Sequence, residues 1–534
     1  MLFLYLLLLV VHAVLIFCVL SMCKVKWKEY LAVIACLPII LWALYNPLFT
    51  VRPEIELSHR KVRLEDGSNW ANTFVFTPSA TSTPSTVAEL QDIITSSDNV
   101  RVVGGGHSWV PLIATTGTLI SLDKFDSIDV RNTTVVVGSG VTLQQLSDAL
   151  EEHGKMFRGF GSVKKQTVGG GFSTSLHGNM PDGFSKHVVS LKAVDGSGKL
   201  VETSDMRLWR DSMGLLGVIY EFTIATHDLE YVDVTVRDGT IQDVLALLQA
   251  RAYFDAVTIA SGPSDFDEIS WKVRRAVVRN ESSKDATKRN QIDGQTRESF
   301  FFYDYFLLPQ IVLASGFISL FDLTPLFIIE QDHTNVAVTN AWNHPEEFGF
   351  DHSEYAIPLE NCTKAFEELF TAVPKPASFE FRFSEASDHC LSWSPQDACA
   401  LGMSVINIDL WTSDFYKTAE KIALKYGGIA HLGKHFAGEV SSQMAAVPCF
   451  GEFNATRASL DPEDKFVNAF AREMIYGEDR SGERYIDKSG RRLVYTFVTV
   501  IVYSALLLFC ICERESSGRT ARKNGYSRVL AGDL

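Results

Sequence analysis

The sequence predicts an α+β protein of two lobes flanked by transmembrane helices. Three observations carry this reading: uncharged apolar runs of 20 residues or more at both ends of the chain, short strand-like runs alternating with capped helices over residues 69–229, and a second mixed strand and helix pattern over 230–477. The 534 residues are 46% hydrophobic and 11% aromatic, too apolar for a disordered chain, and nine cysteines are too few for a disulfide-built one. A net charge of -15 makes nucleic acid an unsuitable partner, since a phosphate backbone needs a basic surface.

Mean hydropathy is +0.07, with the excess at the chain ends. Residues 2–23, 30–51 and 493–512 are each long enough to cross roughly 30 Å of hydrocarbon. The first lacks the basic n-region of a cleaved signal peptide and is too long for its apolar core. Lys24, Lys26 and Lys28 between the first two spans, and Arg514, Arg519, Arg522, Lys523 and Arg528 in the tail 513–534, belong on the cytoplasmic side. Span parity then places residues 52–492 on the lumenal side of the endoplasmic reticulum or another endomembrane, with membrane lipid as a partner. Arg52, Arg60, Lys61 and Arg63 beside a membrane end pull the other way. Segments 52–68 and 478–492 read as linkers. Sequons at Asn132, Asn280, Asn361 and Asn454 agree with a lumenal, glycosylated segment. Cys23 and Cys512 could carry palmitate. Cys362, Cys390, Cys399 and Cys449 could form disulfides or stay as buried thiols, and the sequence does not choose.

Along the first lobe, Thr86 with Glu89 and Thr142 with Gln145 form capping boxes ahead of apolar residues at helical spacing. Strand-like runs lie at 100–103, 118–122 and 134–137, and Asp195-Gly196 reads as a hairpin turn. In the second lobe the pattern predicts strands near 379–383 and 405–410 and a helix over 414–426. The apolar stretch 300–329, broken by Asp304, Pro309, Asp322 and Pro325, reads as a buried element or a surface lying in the membrane interface.

Two glycine-rich loops carry the first chemistry. In one, a strand runs into Gly104-Gly105-Gly106-His107-Ser108; in the other stand Gly161, Ser162, Thr167, Gly169, Gly170, His177 and Gly178. Glycines let backbone N–H groups approach a diphosphate closely. The spacing is neither a Rossmann fingerprint nor a Walker A loop. Two such loops from adjacent strands could clamp one extended dinucleotide.

The chain resembles the vanillyl-alcohol-oxidase-type flavoproteins, and within them the sugar-1,4-lactone oxidases of the L-gulonolactone and D-arabinonolactone oxidase type. The resemblance rests on Asn69 with Trp70, RVVGGGHSW at 101–109, VVVGSGVTLQQL at 135–146, TVGGG at 167–171 and MGLLGVIYEFTI at 213–224. It continues in EFRF at 380–383, GGIAHLGKH at 427–435 and RASLDPEDKFVN at 457–468, and covers roughly residues 69–470. It implies a two-subdomain FAD-binding lobe of the vanillyl-alcohol-oxidase type and an α+β substrate lobe over the isoalloxazine. It further implies FAD bound through both glycine loops with Val218 and Ile219, and tethered covalently to His107.

Glu380 and Arg382 fall on one face of a strand, and His431 and Lys434 on a loop after a helix. The resemblance makes these four the catalytic set. It implies oxidation of an aldono-1,4-lactone to an ascorbate-like product by hydride transfer to flavin N5, with oxygen or another acceptor taking the electrons. Glu380 would orient or deprotonate the hydroxyl, Arg382 and Lys434 would meet developing negative charge, and His431 could share the proton work. Ile429, Ala430 and Leu432 stand where relatives carry Arg, Pro and Trp, and Ser173 and Ser175 stand where they often carry glycine. An alditol or other alcohol as substrate, and a flavin-binding sensor without catalysis, are the alternatives. No residue spacing suggests a metal site, for Lys434 would repel a cation beside His431 and His435.

Overall fold

The computed structural model describes residues 67–70, 74–161, 163–260, 271–278, 331–337, 351–373, 377–405, 412–435, 444, 447 and 449–477, all within the unit Pro53–Lys488. The three apolar runs, the tail, Ser162, Asn280 and the stretch 300–329 lie outside the described residues. Among the described residues no helix is long and apolar enough to cross a membrane.

The first lobe opens on a parallel three-stranded sheet, order β1-β3-β2, of β1 (Ala80–Ser82), β2 (Val100–Val103) and β3 (Thr118–Ser121). Helix α1 (Val87–Ser96) links β1 to β2 and buries Leu90 and Ile94 against Val100 and Ile120. Thr86 caps it by accepting from Glu89 N at 3.2 Å. The expected reciprocal bond is displaced by one residue, because the Glu89 carboxylate accepts from Ser85 N at 2.7 Å instead of from the cap itself.

A five-stranded antiparallel sheet follows, order β4-β5-β9-β7-β8, from β4 (Ile128–Val130), β5 (Thr134–Gly138), β7 (Val188–Val194), β8 (Leu200–Thr203) and β9 (Val218–Ala225). Between β5 and β7 come α2 (Leu143–Glu152), the short β6 (Lys155–Met156) and α3 (Val168–Ser173). Thr142 and Gln145 make the full capping box on α2. The β7–β8 turn is longer than the two residues expected. The Asp195 carboxylate accepts from Ser197 N and Lys199 N, each at 2.9 Å, and so organises residues 195–199.

After β10 (His227–Asp228), which pairs with β6, the second lobe is one eight-stranded sheet. Its strands are β11 (Tyr231–Gly239), β12 (Tyr253–Ala260), β13 (Trp271–Val278), β14 (Gln331–Ala337), β15 (Asp351–Pro358), β16 (Ala377–Ser384), β17 (Ala398–Val405) and β18 (Ile429–Ala430). Their order is β14-β11-β13-β12-β16-β17-β15-β18. The strand expected at 405–410 is β17, which ends at Val405; residues 406–410 lie outside the described set. Helices α4 (Ile241–Gln249), α5 (Cys362–Ala372) and α6 (Thr412–Lys425) complete the lobe. The two faces of the sheet differ in kind. Odd-numbered residues of β15 to β17, among them Tyr355, Ile357, Phe379, Phe381, Leu401 and Met403, are fully buried in the main core, where Phe366 of α5 meets Phe379 at 5.2 Å and Phe381 at 5.0 Å. Even-numbered residues build the other face, described below.

Helices α7 (Phe450–Leu460) and α8 (Ala469–Tyr476) return the chain to the first lobe. There Asn99 Nδ2 donates to Lys465 O and Val467 O, and Arg101 to Phe466 O. The four cysteines whose state the sequence left open form two disulfides, Cys362–Cys399 and Cys390–Cys449. Closing loops of 37 and 59 residues stabilises the fold by about 4 kcal/mol each on the chain-entropy account.

Candidate active site

Strand β2 delivers the chain into Gly104-Gly105-Gly106, and no helix follows. Beneath the loop the buried Arg101 guanidinium donates to three carbonyls, Leu112 O at 2.6 Å, Phe466 O at 2.6 Å and Met213 O at 2.8 Å. Burial brings its pKa down to about 10 against the pull of Asp461. Gly106 turns the chain at φ 66°, where a Cβ is costly. Trp70 N donates to Gly106 O and Trp70 Nε1 to His107 O at 3.1 Å, and its indole stacks on the His107 imidazole at 5.4 Å and 19°. Asn69 Nδ2 secures Ser108 O at 3.0 Å. The position and plane of the His107 ring are therefore set by its neighbours, with the ring itself buried.

The second glycine loop lies directly against the first. A Cβ on Gly104 would collide with Thr167 Oγ1, and one on Gly105 would stand 3.0 Å from Lys165 O. Thr167 caps α3, accepting from Gly170 N at 3.2 Å. Gly169 N donates to Ser139 O, and Ser139 Oγ donates to Ile219 O at 2.6 Å, so Val218 and Ile219 at the start of β9 are tied to the same loop. Gly178 packs on Phe160 and Gly161, and Gln166 Oε1 lies over Gly161. Gln166 Oε1 and both amide atoms of Asn179 are buried without a hydrogen-bond partner among the described residues. A bare-backbone cradle rimmed by unsatisfied amides suits a diphosphate and a ring that both donates and accepts hydrogen bonds, as FAD does.

The sheet face beyond carries the charges. Glu354 of β15 and Glu380 of β16 both pair in register with Gly402 of β17, so two carboxylates flank a position without a side chain. A Cβ on Gly402 would stand 2.8 Å from His352 Cε1 and 3.5 Å from Glu380 Cβ. Arg382, beside Glu380 on the same face, binds the Glu380 carboxylate and lies 3.6 Å from Glu354 Oε1. Lys434 Nζ binds Glu354, and His177 Nε2 stands 2.9 Å from Glu354 Oε2. Trp109 N donates to Gly433 O at 2.9 Å, and its indole meets His352 at 5.7 Å, which places the His107 loop beside the Lys434 loop.

These contacts set the charge states. Burial alone would raise the Glu354 pKa, but His177, Lys434 and Arg382 together hold it well below the usual carboxylate range. Glu380 goes the other way: burial, with Asp255 and Glu354 adding to it, raises its pKa against Arg382. Burial lowers Lys434, Arg382 adding and Glu354 opposing. Burial also lowers His177 despite Glu354, so the neutral ring donates its N–H to the carboxylate. His431 is brought down to about 3 by burial and by Lys434 and His177.

Glu380, Arg382 and Lys434 thus meet on one face. His431 joins them by position, but both ring nitrogens are occupied: Nε2 donates to Ser175 O at 3.0 Å and Nδ1 accepts from Gly433 N at 3.1 Å. The expected share in proton transfer does not fit that geometry. His177, expected on the cofactor, turns instead to Glu354, its ring 4.7 Å from Trp393 and 5.2 Å from His431. Ser162 lies outside the described residues. Ser175 adopts φ 58°, a left-handed conformation that favours glycine, and the Asp211 carboxylate accepts from its N–H at 3.2 Å. Asp211 in turn binds His389 Nε2 at 2.5 Å.

Sequence reasoning missed Glu354, His352, Trp393 and the Asp211–His389 pair. Only His352 and Glu354 left a trace, two polar residues two apart, as in Glu380 and Arg382.

Comparison with known proteins agrees with this arrangement. The family model of the FAD binding domain matches residues 78–204, and that of D-arabinono-1,4-lactone oxidase matches residues 268–474. L-gulonolactone oxidase of Mus musculus is 24% identical over 442 residues, covering 76% of this chain and 98% of its own. L-gulono-1,4-lactone dehydrogenase of Mycobacterium tuberculosis is 25% identical over 430 residues with the same coverage. D-arabinono-1,4-lactone oxidase of Yarrowia lipolytica is 32% identical over 183 residues, 31% of this chain and 35% of its own. Among solved structures, cholesterol oxidase from B. sterolicum superposes with a TM-score of 0.58 at 12% identity, covering 77% of this chain and 96% of its own. Chitooligosaccharide oxidase gives 0.54 at 13% identity, covering 82% and 99%. These two share the fold. With the glycine cradle, the Glu380–Arg382 face and both family models in chain order, the protein belongs to the sugar-1,4-lactone oxidases, within the vanillyl-alcohol-oxidase-like FAD-binding flavoproteins.

Proposed function

We propose that the protein oxidises an aldono-1,4-lactone of the gulono, galactono or arabinono type to an ascorbate-like product, with its FAD tethered to His107. FAD, when bound, supplies the hydride acceptor. The observation that carries the reading is the face on which Glu380, Arg382 and Lys434 converge beside the His107 loop. A sugar lactone offers a hydroxyl to deprotonate and a ring carbonyl to polarise. Glu380, its pKa raised toward the working range, accepts the hydroxyl proton. Arg382 and Lys434 present donors to the carbonyl oxygen and to charge that develops during the reaction. Burial of Glu354 and Arg382, with side chains 1% and 9% exposed, strengthens these interactions.

The test is anaerobic titration of the purified yellow protein with L-gulono-1,4-lactone. Flavin bleaching is expected, and none with any aldonolactone overturns the reading. Precipitation in acid tests the tether, since FAD bonded to His107 stays with the polypeptide.

A second reading, oxidation of an alditol or a more apolar alcohol, is favoured by one observation. Ala356, Ala398, Ala400 and Trp393 form an apolar cluster with Ile429 packed against it, beside the charged residues. A polyol panel in the same titration separates the two. The apolar runs 2–23, 30–51 and 493–512 support anchoring in an endomembrane with the catalytic part lumenal. Protection of a tag at residue 534 from protease added outside sealed microsomes would contradict that topology.

A further inference from the structure

We infer that Glu354 is a positioning residue for the proposed lactone oxidation: a fixed anion that holds Lys434 and Arg382 in the geometry the substrate meets. The inference rests on the lactone reading and adds a residue to it. Glu354 stands at the centre of β15 with its side chain 1% exposed. Its two oxygens are divided between partners from three separate parts of the chain. Oε2 takes Lys434 Nζ, from the loop after β18, and His177 Nε2, from the loop after α3; Oε1 faces Arg382 Nη1 of β16. The backbone ties the same groups together, since Glu354 O accepts from His431 N at 2.9 Å. Gly402 is in register with both Glu354 and Glu380 and puts no side chain between them. A long lysine on a loop would otherwise have other rotamers open to it, and the Arg382 guanidinium would be fixed from the Glu380 side alone. A buried carboxylate shared among them fixes both heads and keeps the ammonium protonated where burial disfavours it. Oε2 is shared by Lys434 and His177 and Oε1 faces the Arg382 guanidinium, which suits Glu354 to anchoring these groups and leaves the substrate proton to Glu380.

The experiment is a double-mutant cycle of Glu354→Gln and Lys434→Met in the full-length protein, read in two ways. One is the rate of flavin reduction by L-gulono-1,4-lactone without oxygen; the other is the thermal unfolding midpoint. If Glu354 acts through Lys434, each single substitution slows reduction on the order of 100-fold, and the double variant is no slower than the worse single one. The midpoint behaves alike: each single variant takes one counter-charge from the buried cluster, and removing both recovers part of the loss. Rates that multiply, or a double variant less stable than both singles, overturn the inference. Should Glu354→Gln fail to fold, Glu354→Asp keeps the charge but draws it back by one methylene. It is then expected to slow reduction in the wild-type background and have no further effect beside Lys434→Met; an equal effect in both backgrounds also overturns the inference. Wild-type protein that no lactone reduces overturns the lactone reading and this role with it, whereas lactone-reducing wild type with an additive cycle removes only the role of Glu354.

Discussion

The two faces of the eight-stranded sheet are made by the same strands, one residue out of phase. On β16, Phe379, Phe381 and Phe383 point into the core under α5, while Glu380 and Arg382 point to the site. On β17, Cys399, Leu401 and Met403 are core and Ala400 and Gly402 are floor. The core face gains its free energy from buried apolar area, and it tolerates change in proportion to volume. The site face is buried almost as well but holds two carboxylates, an arginine and a lysine, whose mutual pairing offsets their desolvation. The same burial therefore stabilises on one side and tunes charge on the other. A one-residue slip of β16 would exchange the two roles.

The sharpest way to break this comparison is to change neighbours on β16. Glu380→Gln is expected to lower the rate of flavin reduction by about 10³-fold, the contribution of a general base, and to lower the unfolding midpoint as well, since it takes from the buried Arg382 its nearer anion and leaves Glu354 at 3.6 Å. Phe381→Ala, next along the strand, should cost about 3–5 kcal/mol of stability, because its ring is fully buried against Trp271 and Phe366 at 5.3 and 5.0 Å. The protein that remains folded should keep near-normal kinetics. Stopped-flow reduction and denaturant titration measure the two, and equal kinetic losses would deny that the faces are separable.

A pH titration sharpens the comparison next. The folded-state pKa of His431 lies at about 3 against 6.5 for a free imidazole, so the unfolded chain takes up a proton first as pH falls. Stability from this group is complete above pH 6.5 and is lost progressively toward pH 3, amounting to about 2 kcal/mol lost at pH 5. Glu354 adds in the same direction at lower pH: its depressed pKa gives stability that is present above the ordinary glutamate value and lost through its own titration. Acid unfolding of wild type against His431→Phe tests this, with a shallower slope between pH 6.5 and 5 expected in the variant.

A smaller effect belongs to Gly402→Ala. The new methyl would stand 2.8 Å from His352 Cε1, so the imidazole must shift against Trp109. About a tenfold fall in kcat/KM is expected, with FAD content and midpoint close to wild type. Unchanged kcat/KM would show that the floor of the face lies outside the substrate's reach.

How far this arrangement was legible in the sequence varies by strand for a physical reason. In β16 the alternation of phenylalanine with Glu380 and Arg382 announces both the strand and its polar face. In β15 the inward position that should be apolar is Ser353, fully buried, so His352-Ser353-Glu354 reads as a polar stretch and Glu354 escapes notice. β17 carries Ala398, Ala400 and Gly402 opposite the charges, and small residues leave little periodicity. The glycine loops and the cap of α2 are local in sequence and were legible. Asp211–His389, 178 residues apart, and the two disulfides are products of the closed fold, with no local pattern to mark them.

The smallest expected effect is at Ser175, where the first lobe touches the site face. Its φ of 58° costs a residue with a Cβ about 1 kcal/mol, which glycine does not pay. Its two anchoring bonds, N–H to Asp211 and C=O from His431, are both main-chain on the Ser175 side and survive the change. Against that gain, glycine adds freedom to the unfolded chain worth roughly 0.5–1 kcal/mol. Ser175→Gly should therefore leave stability within about 1 kcal/mol of wild type and the lactone kinetics unaltered, whereas Ser175→Val, β-branched in the same left-handed conformation, should lose more than either. A marked kinetic change in Ser175→Gly would mean that the backbone here is held by the serine hydroxyl, and that the Asp211 carboxylate alone does not fix His431 at the edge of the charged face.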